Sequence, residues 1–211
     1  AMITLIILSP FFIVLSVAIK MDSRGPIMFR QIRVTQYGKK FKIFKFRTMV
    51  NNADKIGSQI TTKNDARVTR VGRVLRKFRL DEIPQLFNII VGDMSFVGTR
   101  PEVPKYVERY TDEMLATLLL PAGVTSEASI QYKDEELLLT NASDVDEIYI
   151  NRVLPEKMKF NLKSIEEISF MNDIKTLFRT IIAVAKKEED KNTGNTVKLD
   201  RREKRQRYNG R

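Results

Sequence analysis

Hydrophobic positions open the chain with an unbroken run. Met2 to Ile19 is 18 residues without a charge, about 27 Å long as a helix at ~1.5 Å per residue and only just enough to cross a bilayer core. Ser9-Pro10 sits in its middle, where proline removes an amide donor and crowds the preceding turn. A straight span and a kinked helix that enters and leaves by the same face both satisfy this pattern; the break favours the re-entrant anchor. A cleaved signal peptide is disfavoured, since no basic stretch precedes the run and no small-residue cleavage site follows it. A buried helix of a soluble core is the other alternative.

Beyond the turn-rich exit Lys20-Met21-Asp22-Ser23-Arg24-Gly25-Pro26, residues 27–50 predict two strands joined near Gln36-Tyr37-Gly38-Lys39. Alternation in Lys42-Ile43-Phe44-Lys45-Phe46-Arg47-Thr48 puts Lys45 and Arg47 on one face and the two phenylalanines on the other. That pair of cations reads equally as a phosphate clamp or as an exposed basic strand edge. Asn51 to Asp65 is polar and loop-like. Val68, Val71, Val74, Leu75 and Phe78 then recur at helical spacing, with Arg67, Arg70, Arg73, Arg76, Lys77 and Arg79 between them: a basic amphipathic helix, weakened by Gly72. Leu80 to Asp93 predicts a second short helix with Pro84 in its first turn and Gly92 as its stop. Asp81 and Glu82 then lie at a helix N-terminus, where ionised carboxylates are favoured.

Val97-Gly98-Thr99-Arg100-Pro101 is a loop presenting one arginine. A helix is expected over Glu102–Leu120, closed by Pro121-Ala122-Gly123. In the mixed stretch 124–150, Asp134-Glu135-Glu136 and Asp144-Val145-Asp146-Glu147 read as solvated surface. Two further helices are expected, over Glu156–Glu167 and Asp173–Lys187, the latter with an apolar face suited to core or membrane. The fold class that follows is α+β: a re-entrant membrane helix over 1–20, a compact catalytic domain over 21–185 built from a small antiparallel strand pair and several amphipathic helices, and a basic flexible tail over 186–211.

Composition narrows the chemistry. The 211 residues include no His, Cys or Trp. That excludes imidazole or thiol nucleophiles, thiolate or imidazole zinc sites and disulfides. Catalysis must use carboxylates, hydroxyls, Tyr, Lys or Arg, and a metal would be a hard one such as Mg²⁺. The net charge is +11, unevenly spread: residues 23–80 hold 16 Lys and Arg against Asp54 and Asp65, whereas 81–185 are net negative. A strongly cationic stretch directly behind an apolar anchor suits phosphates, whether lipid headgroups or nucleotides. Nucleic acid fits poorly, because Phe44 and Phe46 read as core residues and no aromatic platform accompanies the cations. Asp81 and Glu82 follow that stretch directly, where carboxylates can hold Mg²⁺ or attack phosphorus.

The order of these features resembles the small bacterial sugar transferases, the monotopic polyprenyl-phosphate phosphoglycosyl transferases. The resemblance rests on Ser9-Pro10, on Phe44-Lys45-Phe46-Arg47-Thr48-Met49, on Leu80-Asp81-Glu82-Ile83-Pro84-Gln85-Leu86-Phe87-Asn88, on Gly92 through Pro101, and on Ser169-Phe170-Met171-Asn172-Asp173. It implies transfer of a phospho-sugar from a UDP-sugar to polyprenyl (undecaprenyl) phosphate with release of UMP and with Mg²⁺. It further implies Asp81 as nucleophile through a covalent aspartyl intermediate and Glu82 as its dyad partner, and Lys45 and Arg100 match basic positions associated with the family's active site. Arg47 and Arg79 complete the expected phosphate-binding cations, and Asp81 and Glu82 are the candidate metal ligands. The expected setting is the cytoplasmic face of a bacterial inner membrane, in contact with lipid headgroups, at the first membrane step of glycoconjugate assembly; monomer and dimer are both open.

Three positions depart from the family pattern. The chain starts at Ala1-Met2, where the family carries a basic stretch and more helix, so a truncated or processed N-terminus is expected. Asn161 stands where an Asp is common. Glu127 follows Pro121-Ala122-Gly123-Val124-Thr125-Ser126 where Gly-Leu is usual, in a loop that bears on the nucleotide-sugar. A non-enzymatic basic membrane-surface adaptor is the rival reading, and it leaves Asp81, Glu82 and Arg100 without a purpose.

Overall fold

A computed structural model describes residues 1–53, 61, 65–133, 135 and 144–186. The apolar run is one helix, α1 (Met2–Asp22), with Pro10 inside it. It is long and apolar enough to cross a membrane, and little of it is covered by the rest of the chain. Leu15 and Ile19 are buried, whereas Ile3, Ile6, Ile7, Ile13, Val14 and Val17 are exposed. That distribution is unlike a soluble-core helix, which hides most of its apolar surface.

Two strands follow, β1 (Met28–Val34) and β2 (Lys40–Phe46), antiparallel with Met28 opposite Phe46 and Val34 opposite Lys40. A 3₁₀ turn at Gln36–Gly38 joins them. Alternation gives β2 two working faces. Phe46 packs into a cluster with Leu15, Ile19 and Leu75, which docks α1. Phe41 and Ile43 point the other way, onto Met94.

Helix α2 (Arg70–Lys77) is capped by Thr69, whose Oγ1 accepts from Gly72 N at 3.0 Å. The N-terminus of α2 also receives Asp22 Oδ2 on Val71 N at 2.9 Å, tying it to the end of α1. The glycine that weakens this helix on paper has a packing reason. A Cβ on Gly72 would lie 2.0 Å from the Thr48 carbonyl oxygen, so the backbones of α2 and the post-β2 segment touch.

The chain then makes a 3₁₀ turn, Leu80–Glu82, before α3 (Gln85–Ile90). The single helix expected over 80–93 is therefore split, with Asp81 and Glu82 in the turn and Pro84 at the N-cap of α3. Strand β3 (Met94–Val97) pairs in parallel with β4 (Ala122–Thr125), a second two-stranded sheet absent from the sequence expectation. Between them the long helix expected over Glu102–Leu120 is broken into α4 (Pro104–Val107), α5 (Asp112–Leu115) and a 3₁₀ turn at Ala116–Leu119. Thr111 caps α5, its Oγ1 accepting from Met114 N, so local capping chemistry won over continuous periodicity. Pro121-Ala122-Gly123 opens a strand rather than ending a helix.

The remaining elements are α6 (Glu127–Gln131), α7 (Val145–Ile148), a π-helical turn at Tyr149–Val153, α8 (Leu154–Glu166) and α9 (Phe170–Lys186). Val103, Tyr106, Tyr149, Val153, Leu154 and Met158 form the largest apolar cluster. Two groups expected as solvated surface are engaged instead. Glu135 Oε2 accepts from Lys157 Nζ at 3.1 Å, and Asp146 Oδ1 accepts from Tyr106 OH at 2.6 Å. Asp134 and Glu136, residues 187–211 of the expected tail, and most of the expected 51–65 loop lie outside the described residues.

Candidate active site

Five of the six expected site residues come together where β2, the 80–82 turn and the loop after β3 meet. Lys45 arrives from the β2 face that carries Phe41 and Ile43. Its Nζ donates to Glu82 Oε1 at 3.1 Å. Arg100 forks the same carboxylate: Nη1 reaches Oε2 at 3.1 Å and Nη2 bonds Oε1. Arg79 Nη1 stands 3.9 Å from Glu82 Oε2. The Glu82 side chain is only 10% exposed, so these contacts act at reduced dielectric.

Arg47 is not part of this group. It lies one residue past the end of β2, and its guanidinium turns to the C-terminus of α1. There Nη1 donates to Arg24 O at 2.8 Å, and Nη2 donates to Ser23 O at 2.6 Å and to Ser23 Oγ at 2.9 Å. A cation satisfying helix-end carbonyls is a structural cap; strand alternation failed at this residue because the strand had already ended.

The turn itself is made by an unusual backbone. Arg79 has φ 53° and ψ 25°, the left-handed region, which costs about 1 kcal/mol for a residue with a Cβ. It reverses the chain between α2 and the 80–82 turn and brings Glu82 onto Lys45 of β2. Nothing in the local sequence signals it. Arg100 is set by a different device. Gly98 and Gly123 pass so closely that a Cβ on Gly123 would lie 2.2 Å from Gly98 N, which presses the arginine loop onto β4. Glu102 anchors the loop from behind, accepting from Tyr149 OH at 2.5 Å and lying 3.5 Å from Lys157 Nζ.

The two acids have opposite electrostatic characters. Burial alone would raise Glu82, but Arg100, Lys45 and Arg79 together hold it well below the usual carboxylate range. Asp81 is raised, first by burial and then by the negative charge of Glu82 beside it. Lys45 is pushed down to about 8 by burial, with Glu82 opposing the shift. Among the described residues Asp81 makes no hydrogen bond or ion pair, although it is 9% exposed. One carboxylate is thus locked as an anion among cations. The other has free lone pairs and a basicity above that of an ordinary aspartate, which is what an oxygen nucleophile requires.

A groove of about 310 Å³ starts at Arg79 and Glu82 and runs between Leu8 of α1, Ile83, Leu86 and Ile89, and Ala183 and Val184 of α9. The far wall is fixed by Thr125 Oγ1 against Thr180 Oγ1 at 2.7 Å and by Arg179, which forks Glu127 at 2.6 and 2.9 Å. The unexpected Glu127 is therefore a tether for α9. Asn161 is buried on α8, with Nδ2 3.6 Å from Met158 Sδ and Oδ1 without a partner among the described residues. The role of α9 as a groove wall was not separable from core or membrane contact by periodicity alone.

Three acidic side chains do not converge anywhere among the described residues. Both oxygens of Glu82 are taken by cations, so of the two expected metal ligands Asp81 alone offers free oxygens. Mg²⁺ is commonly held by one or two carboxylates together with substrate phosphates, and Asp81 fits that pattern.

Comparison with known proteins gives this geometry its relatives. The chain is 35% identical over 184 residues to "UDP-N-acetylgalactosamine-undecaprenyl-phosphate N-acetylgalactosaminephosphotransferase" of Aeromonas hydrophila, covering 86% of this chain and 40% of that one. It is 36% identical to "UDP-glucose:undecaprenyl-phosphate glucose-1-phosphate transferase" of Klebsiella pneumoniae, with 84% and 36% covered, and 36% identical to the protein of that description in Escherichia coli K12, with 86% and 37% covered. The chain spans less than half the length of these relatives. The family model described as bacterial sugar transferase matches residues 1–187, from the apolar helix to the end of α9, and the chain belongs to that family.

Proposed function

We propose that this chain is a phosphoglycosyl transferase that moves a sugar phosphate from a UDP-sugar to polyprenyl (undecaprenyl) phosphate at the membrane surface, releasing UMP. The observation that carries the reading is the asymmetry of the dyad: a free, basic Asp81 beside a Glu82 locked by Lys45, Arg79 and Arg100. An Asp81 oxygen attacks the sugar-bearing phosphorus of the UDP-sugar. The bond from that phosphorus to the bridging oxygen breaks, and UMP leaves with the electron pair. A phosphate oxygen of the polyprenyl phosphate then attacks the aspartyl-bound phosphorus, and the Asp81–phosphorus bond breaks to return the carboxylate.

Both substrates are anionic at the reacting phosphates, and the cations around Glu82 offset their repulsion without rearrangement. Asp81 would hold Mg²⁺ together with the diphosphate of the nucleotide, and the ion, when bound, neutralises charge on that diphosphate. The apolar groove from the dyad to α1 is shaped for the first units of an isoprenoid chain whose phosphate rests at Arg79. With its exposed apolar face and Pro10, α1 acts as a re-entrant anchor in one leaflet, and the basic α2 lies among lipid headgroups. UDP-sugars are soluble cytosolic donors, which puts the site on the cytoplasmic face of the bacterial inner membrane. The relatives named above act on different sugars, and the sugar here is to be found by experiment.

The test incubates the protein with a panel of UDP-sugars, without lipid, and measures UMP release and the mass of the Asp81 peptide. A one-equivalent burst of UMP with a sugar-phosphate adduct on Asp81, both lost in Asp81→Asn, is the expected result. UMP formed only when lipid is present, with no adduct, would assign Glu82 as a base in a ternary complex. No UMP under any condition would favour the adaptor.

A further inference from the structure

One buried group near the dyad is not used by the chemistry above. Gln85 is 1% exposed, and among the described residues neither its Nε2 nor its Oε1 has a partner. A buried amide without hydrogen bonds is rare in a native fold, because both ends lose water and gain nothing. Its neighbours on the same face show the contrast. Asn88, one turn on, is fully used: its Oδ1 accepts from Phe44 N at 2.9 Å and its Nδ2 donates to Lys42 O at 3.0 Å. Asp81, four residues back, is also buried and makes no hydrogen bond or ion pair among the described residues. Ile83 and Pro84, between the 80–82 turn and α3, keep right-handed helical dihedrals, so the turn leads directly into α3, where 85 and 88 share one side. Gln85 thus sits between the Asn88–Phe44 anchor and the Lys45–Glu82 pair, one turn from the only acid of the dyad with free lone pairs.

We propose that Gln85 is a positioning residue for Asp81: its amide N–H donates to the carboxylate oxygen that does not attack, fixing the rotamer in which the other oxygen meets the donor phosphorus. The inference rests on the reading of Asp81 as nucleophile. In the resting chain the amide and the acid, four residues apart, both have unused bonding capacity; the bond forms when the donor phosphate settles the carboxylate. No bond to Gln85 is made or broken in the transfer itself, and no proton moves.

The test compares Gln85→Leu and Gln85→Met with the parent and with Asp81→Asn, in the full chain in detergent micelles. Melting temperature, single-turnover UMP release and KM for the UDP-sugar are measured. Replacing an unpaired buried amide by an apolar side chain of similar size should leave the melting temperature equal or raise it. The rate of the UMP burst should fall about 10- to 100-fold, the worth of a hydrogen bond to a charged group, with KM changed less than about twofold. Gln85→Glu, which keeps the shape and removes the donor, should not restore the rate. A burst within about twofold of the parent, a rise in KM in its place, or a lower melting temperature in both apolar variants would overturn the proposal. Loss of the burst in Gln85→Leu with an active Asp81→Asn would instead sink the reading of Asp81.

Discussion

Replacing Glu82 by glutamine keeps the side chain's shape and deletes one charge. That charge faces Arg100 through a two-point fork, Lys45 at 3.1 Å and Arg79 at 3.9 Å, in a site where the carboxylate is one-tenth exposed. Removing one member of a desolvated ion group costs about 3–5 kcal/mol, because its partners stay buried without a counter-charge. Arg79 is about a third exposed and recovers water, and Lys45, already lowered to about 8, sheds its proton. Both place Glu82→Gln at the lower end, about 3 kcal/mol. In a chain of this length each kcal/mol moves the melting temperature by about 2–4 °C, so a fall of about 6–12 °C is expected. Arg100→Met leaves Glu82 with its two other cations and should cost about 2 kcal/mol. The double variant should cost less than the sum by at least about 1 kcal/mol, since its second change removes a group the first had already orphaned. Thermal unfolding of the four proteins in one detergent gives the cycle. Additivity within about 0.5 kcal/mol would mean that solvent screens the fork and that the locked anion is not a feature of the site.

Other changes test the supports of the site. Gly72→Ala, ordinarily helpful in a helix, should destabilise by about 3 kcal/mol or more in chemical denaturation, because its Cβ meets the Thr48 carbonyl at 2.0 Å. Arg79→Gly should keep or raise the melting temperature by relieving the left-handed backbone, while lowering UMP release; Arg79→Lys should keep part of the activity at no gain in stability. Glu102 is held below its ordinary value near 4.5, burial being outweighed by Lys157 and Arg33. Its contribution is therefore complete above that value and lost as pH falls through the folded-state pKa, so Glu102→Gln should flatten the acid limb of melting temperature against pH. An unchanged acid limb would show that Lys157 and Arg33 do not hold that charge.

Much of the local structure was legible because it depends on spacing alone. The uncharged 18-residue run, the alternation in β1 and β2, and the apolar period of α2 and α8 each set an element within a few residues. The acid pair behind a cationic stretch marked the candidate site, and the absence of His and Cys left few other groups to propose. What failed is long-range or conformational. β3 and β4 are four residues each and pair across 24 intervening residues, so neither carries a pattern by itself. The 102–120 segment had helical periodicity, yet Thr111 capping and the β4 pairing divided it. Glu135 and Asp146 looked solvated because sequence shows charge and not the buried Lys157 or Tyr106 that meets it.

The sequence by itself determined which groups are available: two adjacent acids, a surplus of arginine and lysine, and one apolar helix. The tertiary structure alone decided their roles. It sent Arg47 to the end of α1 and Lys45 to Glu82. It left Asp81 without a partner among the described residues while its neighbour was locked, and it bent Arg79 left-handed where the chain turns to bring Glu82 onto β2. The physical reason is that a side chain's charge is a property of its residue, whereas its hydration, partners and basicity belong to the surroundings, and those are assembled from separate parts of the chain.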